Sequence, residues 1–292
     1  MRIASNSLVD LISFYHSELN TIYDASEIDA ILNLVLEHYL GFSRNDLHAK
    51  KNENLNQSDL LKLYFCCKEL KKNIPIQYIL KEAWFYNLRF YVDAAVLIPR
   101  PETEELVDLI LKENKTAASF LDIGTGSGCI PISLKKNKED SNVYACDIST
   151  EALTVAEKNA VLNKTQIDFI ETDILNTELS IKKIDKTFDV IISNPPYIKS
   201  AEKEIMTKAV LDNEPHLALF VNGNDDIIFY KKIIDLCEQK LNTNGKLYFE
   251  LNPLTADNVL QYSIKSKQFK EVTLLKDMSG KTRFLRAQNK LI

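Results

Sequence analysis

Ser119-Phe120-Leu121-Asp122-Ile123-Gly124-Thr125-Gly126-Ser127-Gly128 is the stretch that decides the fold. Its first half is a short apolar run of the kind that fills a buried parallel strand. Three of the chain's seven glycines follow, and then a helical pattern through Ile130, Ile132 and Leu134. Strand, glycine loop and helix in that order open an α/β sheet, the glycines permitting a tight turn and a close approach of backbone to a ligand. From Ala117 onward strand and helix patterns alternate, which predicts a mostly parallel sheet. Further strands are expected at Asn142 to Cys146, Ile167 to Glu171, Phe188 to Ser193 and Lys246 to Leu251. A last pair lies near Val272 to Leu275 and Arg283 to Ala287, turned into an antiparallel hairpin by Ser279-Gly280.

The loop implies a nucleoside ligand. The second strand ends at Asp147, about 20 residues on, where a carboxylate takes ribose hydroxyls. After the third strand, Thr172-Asp173-Ile174 is placed to edge a base. The spacing is G-x-G-x-G with no following lysine, which excludes a phosphate-cradling P-loop. Asp122 before the loop repels a pyrophosphate and suits an ammonium; its other reading is a cap on the loop backbone. S-adenosylmethionine carries an α-ammonium, a sulfonium and ribose hydroxyls, and fits all three features.

The fourth strand delivers Asn194-Pro195-Pro196-Tyr197 at its carboxyl end. The prolines stop the strand and set the backbone direction. Asn194 offers a side-chain carbonyl, Pro195 a backbone carbonyl, and Tyr197 a flat face beside both. Two such acceptors hold both hydrogens of a planar NH2 group and make its lone pair available to an electrophile. Positioning and electrostatics then do the catalysis without a strong base. The plain alternative is a tight proline turn.

Ahead of the sheet, residues 1–75 read as a small helical bundle suited to substrate docking. Leu8, Leu11, Ile12 and Tyr15 recur at helical spacing, as do Ile28, Ile31, Leu32, Val35 and Leu36. Ser26 and Ser58 are expected N-caps, and Gly41 a stop. Residues 76–100 read as a β-hairpin linker around Trp84 to Val92 with Asn87 at its turn. Residues 101–292 form the catalytic domain. Its first helix opens on Glu102, Glu104 and Glu105, which suits the positive end of the helix dipole. Arg100 either orients the substrate or pairs with Glu102 or Glu104. Glu214 orders a loop over the site or caps a turn, and His216 is read as a structural or surface residue rather than a base.

The chain has 292 residues, a formal net charge of −5 and 45% hydrophobic residues, ordinary for a globular protein with a sizeable core. Five cysteines with no C-x-x-C pairing argue against a disulfide framework and a zinc site, and point to a cytoplasmic protein without a metal. No signal peptide and no membrane-length apolar run are read. The acidic balance weakens a case for stable nucleic-acid binding.

Glycine loop, Asp147 and Asn194-Pro195-Pro196-Tyr197, in that order, resemble the class I S-adenosylmethionine-dependent methyltransferases acting on amino or amide nitrogen. Leu97-Ile98-Pro99-Arg100-Pro101-Glu102-Thr103-Glu104, Pro75-Ile76-Gln77-Tyr78-Ile79 and Glu214-Pro215 with Ala218-Leu219 narrow the likeness to the PrmC/HemK family, the peptide chain release factor glutamine methyltransferases. The resemblance implies a Rossmann-like, mostly parallel seven-stranded sheet with an antiparallel terminal hairpin behind a helical domain. It implies methyl transfer to the side-chain amide of the glutamine in the Gly-Gly-Gln loop of class I release factors. Asn194, Pro195, Pro196 and Tyr197 are then the catalytic set. Asp122, Gly124, Thr125, Gly126, Ser127, Gly128, Asp147, Asp173, Ile174 and Asn194 line the cofactor site. The rival readings are a DNA adenine or cytosine amino methyltransferase and a ribosomal-protein glutamine methyltransferase. The chain departs from the family at Ile174, often aromatic there, at Lys81, commonly glycine, and at Asn244, where a second glycine is usual before Gly245.

Overall fold

The computed structural model describes residues 3, 5–50, 53–199, 203, 207–221, 223 and 225–290. The chain divides into two compact units, residues 1–82 with 207–213, and 83–206 with 214–292.

The first unit is helical: α1 (Leu8–Leu19), α2 (Ala25–Leu40), α3 (Arg44–Ala49), α4 (Gln57–Leu70) and the short α5 (Ile76–Leu80). Leu8, Leu11, Tyr15, Leu32, Val35, Leu36 and Leu63 meet in its core, and the Tyr15 hydroxyl donates to the Leu63 carbonyl at 2.6 Å. Two expected caps are corrected. Asp24, not Ser26, caps α2, accepting from the Glu27 N–H at 2.8 Å, while Ser26 bonds to Asp24 inside the first turn. Asn56, not Ser58, caps α4 by the same bond to Asp59 N–H. In both, the N-cap oxygen must reach the N–H three residues on, and the serines lie too far along to do so. Gly41 ends α2 in the left-handed region at φ 68°. The capping box of α3, Ser43 with Asp46, was not anticipated.

The expected hairpin is narrower than residues 76–100. α5 takes its start, β1 (Ala83–Phe85) pairs with β2 (Leu88–Phe90), and an extended run follows. Both turn residues, Tyr86 and Asn87, have positive φ, as a two-residue hairpin turn matching strand twist requires. The Glu104 carboxylate accepts from the Tyr86 N–H at 2.7 Å and holds that turn. Lys81, where a glycine is usual, closes α5 at φ 57°.

The second unit continues as α6 (Pro101–Glu113), β3 (Ser119–Ile123), α7 (Cys129–Asn137), β4 (Asn142–Asp147), α8 (Thr150–Leu162), β5 (Asp168–Glu171), α9 (Thr177–Lys183) and β6 (Phe188–Ser193). α10 (Lys208–Asn213) belongs to the first unit. Then come α11 (His216–Leu219), α12 (Ile228–Lys240), β7 (Leu241–Glu250), α13 (Ala256–Lys265), β8 (Phe269–Lys276) and β9 (Thr282–Asn289). The sheet order is β5-β4-β3-β6-β7-β9-β8. β3 to β7 run parallel, and β9 pairs antiparallel with both β7 and β8. This is the expected Rossmann-like sheet with its terminal hairpin.

Helices cover both faces. One apolar cluster joins Phe188, Ile191, Tyr230, Ile234 and Phe249; the other joins Leu106, Ile110, Phe120, Val190, Ile192 and Tyr248. β7 begins at Leu241, five residues earlier than its apolar pattern, through a polar stretch in which Asn244 has φ 60°. Asparagine tolerates that region, so the second glycine is dispensable. Gly245 is not: an added Cβ meets the Asn242 and Asp189 carbonyl oxygens at 2.8 and 3.0 Å. The strand order reverses between β3 and β6, and a crevice opens at the carboxyl ends of the strands there.

Candidate functional site

That crevice is a cavity of ≈ 380 Å³, of small-ligand size. Its walls include Gly124 to Ser127 after β3, Asp147 to Ser149 after β4, Thr172 to Leu175 after β5, and Ser193 to Pro196 after β6. Leu97, Pro99, Arg100 and Thr103 close one side, and Pro215, Leu217, Ala218 and Phe220 another.

The loop is held shut by backbone. Gly124 and Thr125 N–H both donate to the Cys146 carbonyl, at 2.8 and 3.0 Å. Gly124, Gly126 and Gly128 have φ 75°, 54° and 78°, a region only glycine occupies freely. Gly128 is the N-cap of α7 and faces inward, its absent Cβ leaving room for Ile132 and Ala156 at 3.0–3.1 Å. Its role is helix packing, and it does not reach the cavity wall. Asn159 of α8, wholly buried, donates to the Ser127 and Tyr91 carbonyls at 2.9 Å each and accepts from Tyr91 N–H at 2.6 Å. Nothing local in the sequence marks this brace between loop and hairpin.

Asp147 accepts from Gly126 N–H through Oδ2 at 2.9 Å and from Ser149 N–H through Oδ1 at 3.0 Å. Each oxygen keeps a lone pair for a ligand hydroxyl. Burial raises its carboxyl above the usual range, against the pull of those amides. Asp173 lines the cavity and turns one oxygen to Leu175 N–H. Ile174, with Ile148 and Leu175, makes the walls there aliphatic.

Asp122 lies beneath the loop, outside the cavity lining, at 1% exposure. Neither carboxylate oxygen has a hydrogen-bonding partner, nor has the buried Thr125 hydroxyl, which does line the cavity. The cap reading of Asp122 is therefore not what the structure shows. Burial pushes its carboxyl up to about 7, against an opposing pull from nearby Thr125 and with a smaller push from Asp147. The native state thus holds a proton there that the unfolded chain has lost, so stability falls as pH rises from 3.8 to about 7. Asp122→Asn removes that penalty. The variant's Tm relative to wild type is expected to climb between pH 5 and pH 8 in ligand-free protein. A difference independent of pH would mean an ordinary carboxylate.

On the fourth strand, Ser193 is fully buried and donates to the Ile123 carbonyl at 2.6 Å, fixing the strand end. Asn194, Pro195 and Pro196 line the cavity. Asn194 Nδ2 donates to Thr103 Oγ1 at 3.3 Å. Among the described residues, neither Asn194 Oδ1 nor the Pro195 carbonyl oxygen accepts a hydrogen bond. Tyr197 departs from expectation: it packs against the core beside α12 and does not line the cavity, and burial raises its phenol. Its carbonyl accepts from Asn252 at 3.3 Å, so it anchors the turn.

Arg100 pairs with Glu214, not with Glu102 or Glu104. Glu214 is 3% exposed and also accepts from Ile98 N–H at 3.4 Å, tying the segment before α11 to the segment before α6. His216 is exposed, outside the cavity, and edge-on to Phe220 at 5.2 Å. Among the described residues no three His, Cys, Asp or Glu side chains group as a metal site, and all five cysteines are free and buried. Among the described residues no helix is long and apolar enough to cross a membrane.

The cavity's size, the Asp147 acceptors, the aliphatic flank and the orphaned Thr125 hydroxyl fit S-adenosylmethionine. Two family descriptions match the chain, PrmC N-terminal domain over residues 10–80 and Methyltransferase small domain over 102–224. The release factor glutamine methyltransferase of Flavobacterium psychrophilum is 45% identical, covering 92% of this chain and 94% of its own. That of Bacteroides thetaiotaomicron is 42% identical, covering 94% and 98%. A methyltransferase structure from Pyrococcus furiosus superposes with a TM-score of 0.53 at 18% identity, over 81% of this chain and all of that one, and shares the fold.

Proposed function

The chain belongs to the release factor glutamine methyltransferases, and we propose that it methylates the side-chain amide nitrogen of the glutamine in the Gly-Gly-Gln loop of class I release factors. The observation that carries this reading is the pair of unoccupied acceptors, Asn194 Oδ1 and the Pro195 carbonyl, at the rim of a nucleoside-sized cavity.

S-adenosylmethionine, when bound, supplies an electrophilic methyl group on its sulfonium. Asp147 takes the ribose, Gly124 to Ser127 surround the methionine portion, and Ile174 flanks the base. Asn194 and Pro195 each accept one N–H of the glutamine amide and so orient its nitrogen. With both hydrogens engaged, the lone pair is drawn out of amide conjugation and toward the methyl group. With the donor bound, the nitrogen would take the methyl as the methyl–sulfur bond breaks, leaving the neutral thioether S-adenosylhomocysteine, and would then give one proton to solvent. Pro196 stiffens the turn, and Tyr197 secures it from behind. Leu97 and Phe220 put apolar surface on the cleft walls, which strengthens these polar contacts. The helical unit of residues 1–82 adds docking surface for the release factor, and the enzyme acts in the cytosol.

The test is transfer of labelled methyl from S-adenosylmethionine, offered separately to a release factor, to its Gly-Gly-Ala variant and to duplex DNA. Label on the wild-type factor alone is expected. Label on DNA would replace the amide with a base amine, and equal label on the Gly-Gly-Ala variant would move the target residue.

A further inference from the structure

An amide group is nearly symmetric in shape, and its two ends differ only in that one donates and the other accepts. The proposed reaction needs the accepting end of Asn194 toward the substrate. Something must break the symmetry.

The chain of contacts behind Asn194 does so. Its Nδ2 donates to Thr103 Oγ1 at 3.3 Å, and Thr103 Oγ1 in turn bonds Glu250 Oε2 at 2.7 Å. Thr103 sits in the first turn of α6 and Glu250 at the end of β7, 3% and 2% exposed. A hydroxyl has one proton. Committed to Glu250, it leaves only lone pairs for Asn194, and only the NH2 end of the amide can meet them. Resting on the functional reading above, we propose that Thr103 and Glu250 are positioning residues forming a one-way hydrogen-bond relay that turns the carbonyl of Asn194 toward the substrate amide.

The relay's sense depends on the Glu250 carboxyl being ionised. A protonated carboxyl is itself a donor and frees the threonine proton to point at Asn194. Burial pushes Glu250 up to about 7. Arg283 on β9 and Arg100 before α6 pull it down, with the Thr103 bond, and Glu102 pushes it up. Tyr197, Tyr230 and Cys129 also face it, the Tyr230 hydroxyl bonding the Glu250 backbone carbonyl at 3.1 Å. Turnover driven by the relay therefore rises with pH through the neutral range.

Thr103→Val keeps shape and removes the lone pairs. A buried NH2 against a methyl group is unsatisfied, so the Asn194 amide turns it to the cavity, donor against donor. The expected result is a fall in kcat of about 30-fold, with KM for the release factor and Kd for S-adenosylmethionine within about 3-fold of wild type. Thr103→Ser keeps the hydroxyl and restores most of kcat. Glu250→Gln has no proton to lose, and its kcat no longer rises through neutral pH. Thr103→Val turning over like wild type would overturn the relay. So would Thr103→Ser losing as much as Thr103→Val with both melting early, since that pattern marks a packing role. Wild-type protein that transfers nothing to a release factor fails the functional reading, and the relay with it, before any variant is compared.

Discussion

Asn194→Ala is expected to lower kcat for release factor methylation by about 1,000-fold while the Kd for S-adenosylmethionine stays within about 3-fold. The side chain lines the cavity, and its carbonyl oxygen has no partner of its own. It contributes nothing to the backbone bonds that shape the glycine loop, which run to Cys146 and Asp147. Truncation is therefore expected to spare the cofactor pocket and to remove one of the two acceptors proposed to orient the reacting nitrogen. Pro195 supplies the other through its backbone, beyond the reach of substitution. The measurement is single-turnover methyl transfer beside calorimetric titration of the cofactor. Undiminished turnover would remove Asn194 from the reaction, and equal loss of cofactor affinity would make it a pocket residue instead.

Asp147→Asn is the second large effect, and it falls on the opposite quantity. The carboxylate accepts from two backbone N–H groups, one per oxygen. An asparagine in the same place must turn its NH2 toward Gly126 N–H or Ser149 N–H, donor to donor. It also loses one acceptor for a ribose hydroxyl. Together these are expected to weaken S-adenosylmethionine binding about 100-fold, near 2.7 kcal/mol. With cofactor saturating, kcat falls much less. Wild-type affinity in Asp147→Asn would show that the carboxylate serves only the loop. The two variants separate holding the methyl donor from presenting the nitrogen.

The legible parts of the chain were those whose signal is local. β3 and its loop lie within ten residues, and φ values of 54–78° at the three glycines explain why those positions need glycine. Asp147 and Asn194 were found because both stand at the carboxyl ends of apolar strands. Pairings that join distant segments left no local trace. Thr103 meets Glu250 across 147 residues, Arg100 meets Glu214 across 114, and Asn159 reaches Tyr91 across 68. Each is a polar pair made specific by burial, and burial is settled only when the sheet is assembled. Tyr197 shows the converse: adjacency to Asn194 in sequence implied a shared wall, but the prolines turn the chain, and its ring goes to the core. The caps failed for a smaller reason. Asp24 and Ser26, like Asn56 and Ser58, are both competent oxygens two residues apart, and composition alone does not choose between them.

The insertion of β9 between β7 and β8 constrains the order of assembly. β8 precedes β9 in the chain, yet its one strand neighbour is β9. It has no place in the sheet until β9 exists, so the pair forms locally, around the Asp277 to Lys281 turn that Asp277 holds through Lys281 N–H. The hairpin then docks as a unit on β7, and that docking pairs Glu250 with Phe284. The carboxylate behind Thr103 therefore lies on a strand that the terminal hairpin covers. The cofactor loop and the residues behind Asn194 thus rest on different parts of the sheet: the loop on β3 and β4, the burial of Glu250 on the terminal hairpin.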